Sequence, residues 1–349
     1  MSAAAPVERH RVAIVGAGPI GLELAVALKQ AGVDYMQLDA SQIGATIAWY
    51  PQEMLFHSSA DRLSLSGVPI QVADQQKPKR EEYLAYLRSL VLQFGLDIRT
   101  YERVEHASRL PGGGFELQTR ALAGERRYHV DALVLAIGAM HAPRLLGIPG
   151  EELPHVSHYF FDPHTYFGKK LLVVGGRNSA VETAVRCQRA GAQVTLSYRR
   201  GDFEPSVVKF WLLPEVRAMI RDARVRFLPF TAPLAIDRGT VLLARTDGSG
   251  EPYPIEADFV LLMTGYRQDA TLFDLLGVDM QGADRQPLYD PETMETNVPG
   301  LFVAGTAIAG TPLKRVSVIV ETCHVHVPRI VQRLTGMHSV VAVPAKEDD

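Results

Sequence analysis

Cysteine is scarce in this chain: among 349 residues only Cys187 and Cys323 occur, far apart. No Cys-x-x-Cys pair exists, which excludes a dithiol relay, and two distant cysteines give no disulfide framework. The expectation is a reducing, cytoplasmic setting. An excess of charge of one sign is also missing. Lys and Arg number 36 against 39 Asp and Glu, the formal charge is −3, and no basic block occurs. The electrostatic footprint of a nucleic-acid or anionic-membrane binder is therefore absent. No apolar run approaches the length of a membrane span, and Met1 to His10 lacks the apolar core of a signal peptide. No spacing of histidines or cysteines suits a metal, so none is expected. Small molecules are the expected partners.

What is present is apolar punctuation at regular intervals. With 47% apolar residues the chain has ample material for the cores of about two domains. Arg11 to Val15 reads as a buried strand, Pro19 to Ala31 as a helix, and Asp34 to Leu38 as a strand ending at Asp39. The order repeats with Lys170 to Val174, Asn178 to Ala190 and Gln193 to Tyr198. Two βαβ units result. Asp131 to Ile137 and Ala257 to Met263 read as further strands, stopping at Gly138 and at Thr264-Gly265. A strand over Gly300 to Ala304 runs into Gly305, and a final helix is expected from about Lys314. The fold class is α/β, with two Rossmann-like dinucleotide-binding domains, one inserted in the other. Turn residues near Ile148-Pro149-Gly150 and Pro291 to Asn297 place the boundaries at 1–155 with 292–349 for the outer domain and 156–291 for the inserted one.

Each βαβ unit carries a glycine fingerprint at its first turn: Gly16-Ala17-Gly18-Pro19-Ile20-Gly21 and Gly175-Gly176-Arg177-Asn178-Ser179-Ala180. In that context backbone amides and a helix N-terminus can hold a pyrophosphate. Gly16 allows the tight turn, Gly18 lets the backbone approach the ligand, and Gly21 lets helix and strand pack closely. Asp39 lies 18 residues beyond Gly21, placed to accept from ribose hydroxyls, so this nucleotide lacks a 2′-phosphate. In the second unit the corresponding strand ends in Arg199-Arg200, whose planar guanidinium forks match a 2′-phosphate. FAD is accordingly expected in the first unit and NADPH in the second. Gly138 in the first and Gly265-Tyr266 in the second close strands at the carboxyl edge, where such ligands bind.

At this point the chain resembles the thioredoxin-reductase-like flavoproteins, and within them the YpdA family of bacillithiol disulfide reductases. The matching stretches include Tyr50-Pro51 with Phe56-His57-Ser58-Ser59, Lys77-Pro78-Lys79-Arg80-Glu81, and the second fingerprint continued through Val181-Glu182. Ser206 to Trp211, Thr264-Gly265-Tyr266, Glu292 to Leu301 and Val303-Ala304-Gly305 complete them, so the similarity spans nearly the whole chain. A basic residue in the middle of the second fingerprint is itself a feature of this family, and Arg177 supplies it. The resemblance implies a reductase in which NADPH reduces FAD and the flavin reduces a low-molecular-weight disulfide. It also implies a homo-oligomer, a dimer or higher. Where a thioredoxin reductase has its two redox cysteines, this chain has His158 and Phe161. The resemblance further implies a single cysteine inside the first fingerprint, and here that position is Ile20, which cannot form a mixed disulfide.

Candidate flavin contacts are Gly16, Gly18, Pro19, Ile20, Gly21, Asp39, Thr46, Val104, Gly138, Gly305, Thr306 and Val316. Thr306 stands where thioredoxin reductases carry an acid toward the ribityl chain. Candidate NADPH contacts are Gly175, Gly176, Arg177, Asn178, Ser179, Ala180, Arg199, Arg200, Gly265 and Tyr266. His57 is a candidate proton donor and Cys323 a candidate thiol, each set against a plain structural role. His324 and His326, two apart on the expected final helix, diverge and do not form a chelate. Three other readings stay open: a reductase of ferredoxin or another small redox protein, a flavin monooxygenase-like enzyme, and a non-catalytic redox sensor.

Overall fold

The computed structural model describes residues 7–74, 77–311 and 318–337. The chain divides into two compact units, one made of Met1–Ala48, Glu53–Ala142 and Arg267–Asp349, the other of Trp49–Gln52 and Pro143–Tyr266.

The first unit is built on a seven-stranded sheet. Strands β1 (Val7–Val15), β2 (Tyr35–Leu38), β3 (Ile98–Arg99), β4 (Glu102–Arg109), β5 (Phe115–Ala121) and β6 (Gly124–Leu135) lie in the order β3-β2-β1-β6-β5-β4. Pairing is parallel from β3 to β6 and antiparallel from β6 to β4, and the Leu301–Val303 strand pairs in parallel with Leu133–Leu135 of β6, on the edge opposite β1. Alternation along β1 explains its continuous apolar run. Ala13 and Val15 enter one core with Leu38, Leu117, Tyr128 and Leu133, while Val12 and Ile14 are fully buried on the opposite face. Helix α1 (Pro19–Gln30) follows β1 directly; Pro19 suits its first turn because the missing N–H is one a helix leaves unbonded anyway.

The second unit repeats the plan in a five-stranded parallel sheet around Lys170–Val174. Leu171 and Val173 face the helices Asn178–Arg189 and Leu212–Arg221, and Leu172 and Val174 face a three-stranded antiparallel layer holding Ile236, Val241 and Leu243. Both faces of the strand are covered, so it reads as an unbroken apolar run.

Two sequence expectations differ from the structure. The compact units part at 142/143 and 266/267, not at 155/156 and 291/292. Ile148, Leu153 and Val156 pack on the second unit's core, whereas Phe273, Leu276 and Val278 are buried in the first unit's core. The turn-rich segments sit inside units, not at their borders. The expected single final helix is also two, Val320–Cys323 and His326–Thr335. Pro328 is the reason: without an N–H it cannot bond back to His324, and the last contact across the break is Val327 N to the His324 carbonyl at 3.2 Å. Lys314 and Val316 lie outside the described residues.

Candidate dinucleotide-binding sites

The first fingerprint adopts the geometry that its glycines suggest. Gly16 has φ +117°, and a Cβ there would stand 2.4 Å from the Ala136 carbonyl oxygen. At Gly21 a Cβ would meet the Gly16 carbonyl oxygen at 2.2 Å, so helix and turn touch backbone to backbone. Above Gly18 nothing lies within 4 Å, which leaves that side of the turn open. Gly18 is also the N-cap of α1 and, having no side chain, gives the amides of the first turn no side-chain cap. That combination, an open glycine and uncapped amides, fits a pyrophosphate.

Asp39 directly follows β2 with both carboxylate oxygens already engaged, Oδ2 accepting from Ala17 N at 2.7 Å and Oδ1 from Ser41 N at 2.8 Å. Each oxygen retains a second acceptor position for a ribose hydroxyl. Burial raises its pKa above the usual value, outweighing the two amides that stabilise the anion. Two further turns meet the fingerprint. Gly305, at φ +67°, would place a Cβ 3.3 Å from that of the buried Ile20, and Gly138, at φ +75°, would place one 3.6 Å from Thr306 Oγ1. Gly16, Ile20, Gly138, Gly305 and Thr306 are thus brought together. Thr46 is half-buried in the short helix Ala45–Ala48. Val104 is half-buried in β4 against the unit's core. His57 is exposed, and its carbonyl accepts from Lys77 Nζ.

Sequence reasoning missed the polar side chains that hold these turns. Gln37, buried inside the apolar β2, donates from Nε2 to the Gly16 carbonyl at 2.9 Å. Gln268 donates from Nε2 to the carbonyls of Gly138 and Ala307, both at 2.8 Å. His326 Nδ1 accepts from Gly305 N at 3.1 Å. A glutamine at an inward strand position was a readable signal for Gln37. Gln268 and His326 carried none, because their partners come from other parts of the chain. His324, two residues earlier, pairs through Nδ1 with Glu23 Oε2 of α1 at 2.9 Å, both side chains 1% exposed. Its Nε2 donates to the Arg62 carbonyl, 3.1 Å away.

Of the two readings of Cys323, its burial favours the plain structural role. It is fully buried, and burial pushes its pKa to about 12, so no thiolate forms near neutrality. Cys187 is equally buried and likewise pushed to about 12.

In the second unit Gly175 has φ +140°, and a Cβ there would meet the Met263 carbonyl oxygen at 2.6 Å and the Cβ of the buried Ala180 at 2.9 Å. Gly176 lies against the Tyr198 ring, whose atoms would stand 2.4–2.5 Å from an added Cβ. Arg177 occupies the N-cap of Asn178–Arg189 in extended conformation and makes no side-chain cap. The N-cap of this helix too gives its first turn no side-chain hydrogen bond. Asn178 Oδ1 accepts from Lys209 N at 2.6 Å, and Ser179 is exposed. Arg199 and Arg200 are exposed, and Arg200 pairs with Glu204 at 3.0 Å. Gly265 turns at φ +95° into Tyr266, whose ring packs against Trp49 and Tyr159 with centroids 6.5 and 5.8 Å away. Burial pushes the Tyr266 hydroxyl up to about 12. Among the described residues no cluster of His, Cys, Asp or Glu suits a metal ion, and no helix is long and apolar enough to cross a membrane.

Residues 13–305 match the pyridine nucleotide-disulphide oxidoreductase family. The chain is 33% identical over 302 residues to the bacilliredoxin reductase Bdr of Bacillus subtilis, covering 86% of this chain and 91% of that one. It is 32% identical over 299 residues to a ferredoxin–NADP reductase of Ignicoccus hospitalis, covering 84% and 88%. The solved structure of the bacillithiol disulfide reductase Bdr (YpdA) from Bacillus cereus superposes with a TM-score of 0.88 at 31% identity, covering 94% and 99%. The expected fold class, two Rossmann-like units of thioredoxin-reductase-like type, is the one found. With two fingerprints of intact geometry and these similarities, the chain belongs to the pyridine nucleotide-disulphide oxidoreductase family, in its YpdA branch, and is an oxidoreductase whose cofactors are FAD and NADPH.

Proposed function

We propose that the first unit holds FAD, the second holds NADPH, and the enzyme carries reducing equivalents from NADPH through the flavin to a low-molecular-weight disulfide of the bacillithiol type. The observation that carries this reading is that both fingerprint helices begin at glycine turns whose amides lack a side-chain cap. FAD supplies the two-electron exchange and NADPH the hydride. The chain's own part is placement. Gly16, Gly18 and Gly21 shape the pyrophosphate turn, Asp39 takes the ribose, and Gly138, Gly305 and Thr306 line the approach from the neighbouring strand ends. Gly175, Gly176 and Ser179 do the same for NADPH, with Arg177, Arg199 and Arg200 facing the 2′-phosphate. The similarity to reductases of bacillithiol disulfide and bacilliredoxin supports the acceptor class.

The chain offers no thiol for a covalent relay: Ile20 is in the fingerprint and both cysteines are buried. The same observation favours a second reading, a small redox protein as acceptor, for which the similarity to a ferredoxin–NADP reductase also speaks. Anaerobic NADPH oxidation by the purified yellow protein separates the two. Turnover that depends on bacillithiol disulfide supports the first reading. Flavin bleaching without turnover until ferredoxin or bacilliredoxin is added overturns it in favour of the second, and bleaching with no turnover under any acceptor supports a sensor. The proposed location is the cytoplasm and the proposed state a homodimer, which light scattering of the purified protein tests.

A further inference from the structure

We infer that His326 and Gln268 are positioning residues for the flavin, acting by fixing the Gly305–Ala309 turn at its start and at its middle. The inference rests on the reading that FAD occupies the first unit. The turn follows the Leu301–Val303 strand as one stretch of 3-10 helix. At its start, the Gly305 N–H is held by the Nδ1 lone pair of His326, which is 4% exposed. Near its middle, the Ala307 carbonyl accepts from Gln268 Nε2, and the same nitrogen donates to the Gly138 carbonyl. One amide group thereby links two turns at the ends of paired strands, β6 and Leu301–Val303. The Gln268 backbone N–H is itself anchored on Thr311 Oγ1 at 2.9 Å.

Three backbone groups of the two turns are thus oriented by side chains before any ligand arrives, which lowers the ordering cost of binding. The arrangement matters here because Thr306 offers one hydroxyl where an acid would offer two oxygens. His326 must be neutral, with its proton on Nε2, to accept at Nδ1. Burial favours that state, and repulsion from Arg329 and from His324, itself paired with Glu23, adds to it.

The test is FAD release from the holoenzyme, followed by the fluorescence of free flavin on dilution, together with the flavin absorption spectrum and reduction potential. Loss of one such buried hydrogen bond in His326→Leu is expected to speed release about tenfold, and loss of both Gln268 bonds in Gln268→Met at least about tenfold. His326→Asn, whose Oδ1 can stand near the place of Nδ1, is expected to restore slow release and the wild-type spectrum. NADPH affinity, carried by the other unit, is expected to stay unchanged in all three. Should His326→Leu fail to fold by circular dichroism, Gln268→Met and His326→Asn decide. Wild-type release rates, spectra and potentials in the folded variants overturn the inference, as does failure of Asn to rescue beside a folded, fast-releasing Leu variant. A wild-type protein that binds no FAD overturns the underlying reading instead.

Discussion

Ile20 stands in the first fingerprint, which therefore carries no thiol, and the two cysteines elsewhere are buried. Burial pushes both thiols to about 12, so iodoacetamide at about pH 7 is expected to leave the native protein unmodified and its NADPH oxidation intact. Rapid inactivation traced by mass spectrometry to Cys187 or Cys323 would contradict this. His326 makes a second prediction at this scale. Its pKa is depressed from the usual 6.5 to about 4, by burial first and then by Arg329 and His324. The unfolded chain therefore takes up a proton that the fold refuses as pH falls through 6.5 toward 4. This costs about 2 kcal/mol of stability at about pH 5. His324 runs the other way: burial lowers it, but the Glu23 carboxylate outweighs that and raises it. Its contribution is complete below 6.5 and is lost only as pH rises through its folded value. Thermal stability is expected to fall between about pH 7 and 5, and the fall is expected to be shallower in His326→Asn. An identical slope in that variant would assign the loss to other groups.

Helix α1 shows how one element carries packing and binding on different residues. An alanine at Gly21 would put its Cβ 2.2 Å from the Gly16 carbonyl oxygen, a contact with rigid backbone. Gly21→Ala is expected to cost about 3 kcal/mol or to prevent folding. Gly18 has φ −76° and open space above it, so Gly18→Ala is expected to keep the wild-type melting temperature. It should weaken FAD binding about tenfold or more by holding the pyrophosphate off the turn. Equal melting losses in both variants would refute this division. The same helix anchors the C-terminal segment through Glu23, whose other oxygen accepts from Ser66 N at 3.2 Å. Glu23→Ala leaves His324 buried without its partner, an expected loss of about 3–5 kcal/mol in denaturant unfolding. A loss below about 1 kcal/mol would mean that water or a rearranged side chain replaces the carboxylate.

Each of the two units has its own core, and nearly all of the second is one stretch, Pro143–Tyr266. That stretch expressed alone is expected to unfold cooperatively and to bind NADPH but not FAD. A fragment without a cooperative transition would show that Trp49–Gln52, which receives the Arg186 guanidinium on the Gln52 carbonyl, is indispensable. In the whole chain, replacing Arg199 and Arg200 with alanine is expected to erase the preference for NADPH over NADH while leaving flavin content unchanged. A retained preference would shift 2′-phosphate recognition to Arg177.

The sequence alone determined what repeats locally. Strand Lys170–Val174 and strand Gln193–Tyr198 fall where apolar periodicity placed them, and Gly16, Gly21 and Gly175 make close approaches to backbone that only a glycine allows. These features depend on neighbours a few residues away, so a linear pattern records them. Tertiary structure alone decided what depends on distant neighbours. Leu276 and Val278 belong to the first unit because its core reaches them, although turn residues suggested a later border. Cys323 is shielded because the fold excludes water from it, and the final helix breaks where Pro328 meets the histidines. Gln268 and His326 acquire their roles from carbonyls and an amide up to 130 residues away. A side chain's hydrogen-bond partner is fixed by packing in three dimensions, and no periodicity in one dimension carries that information.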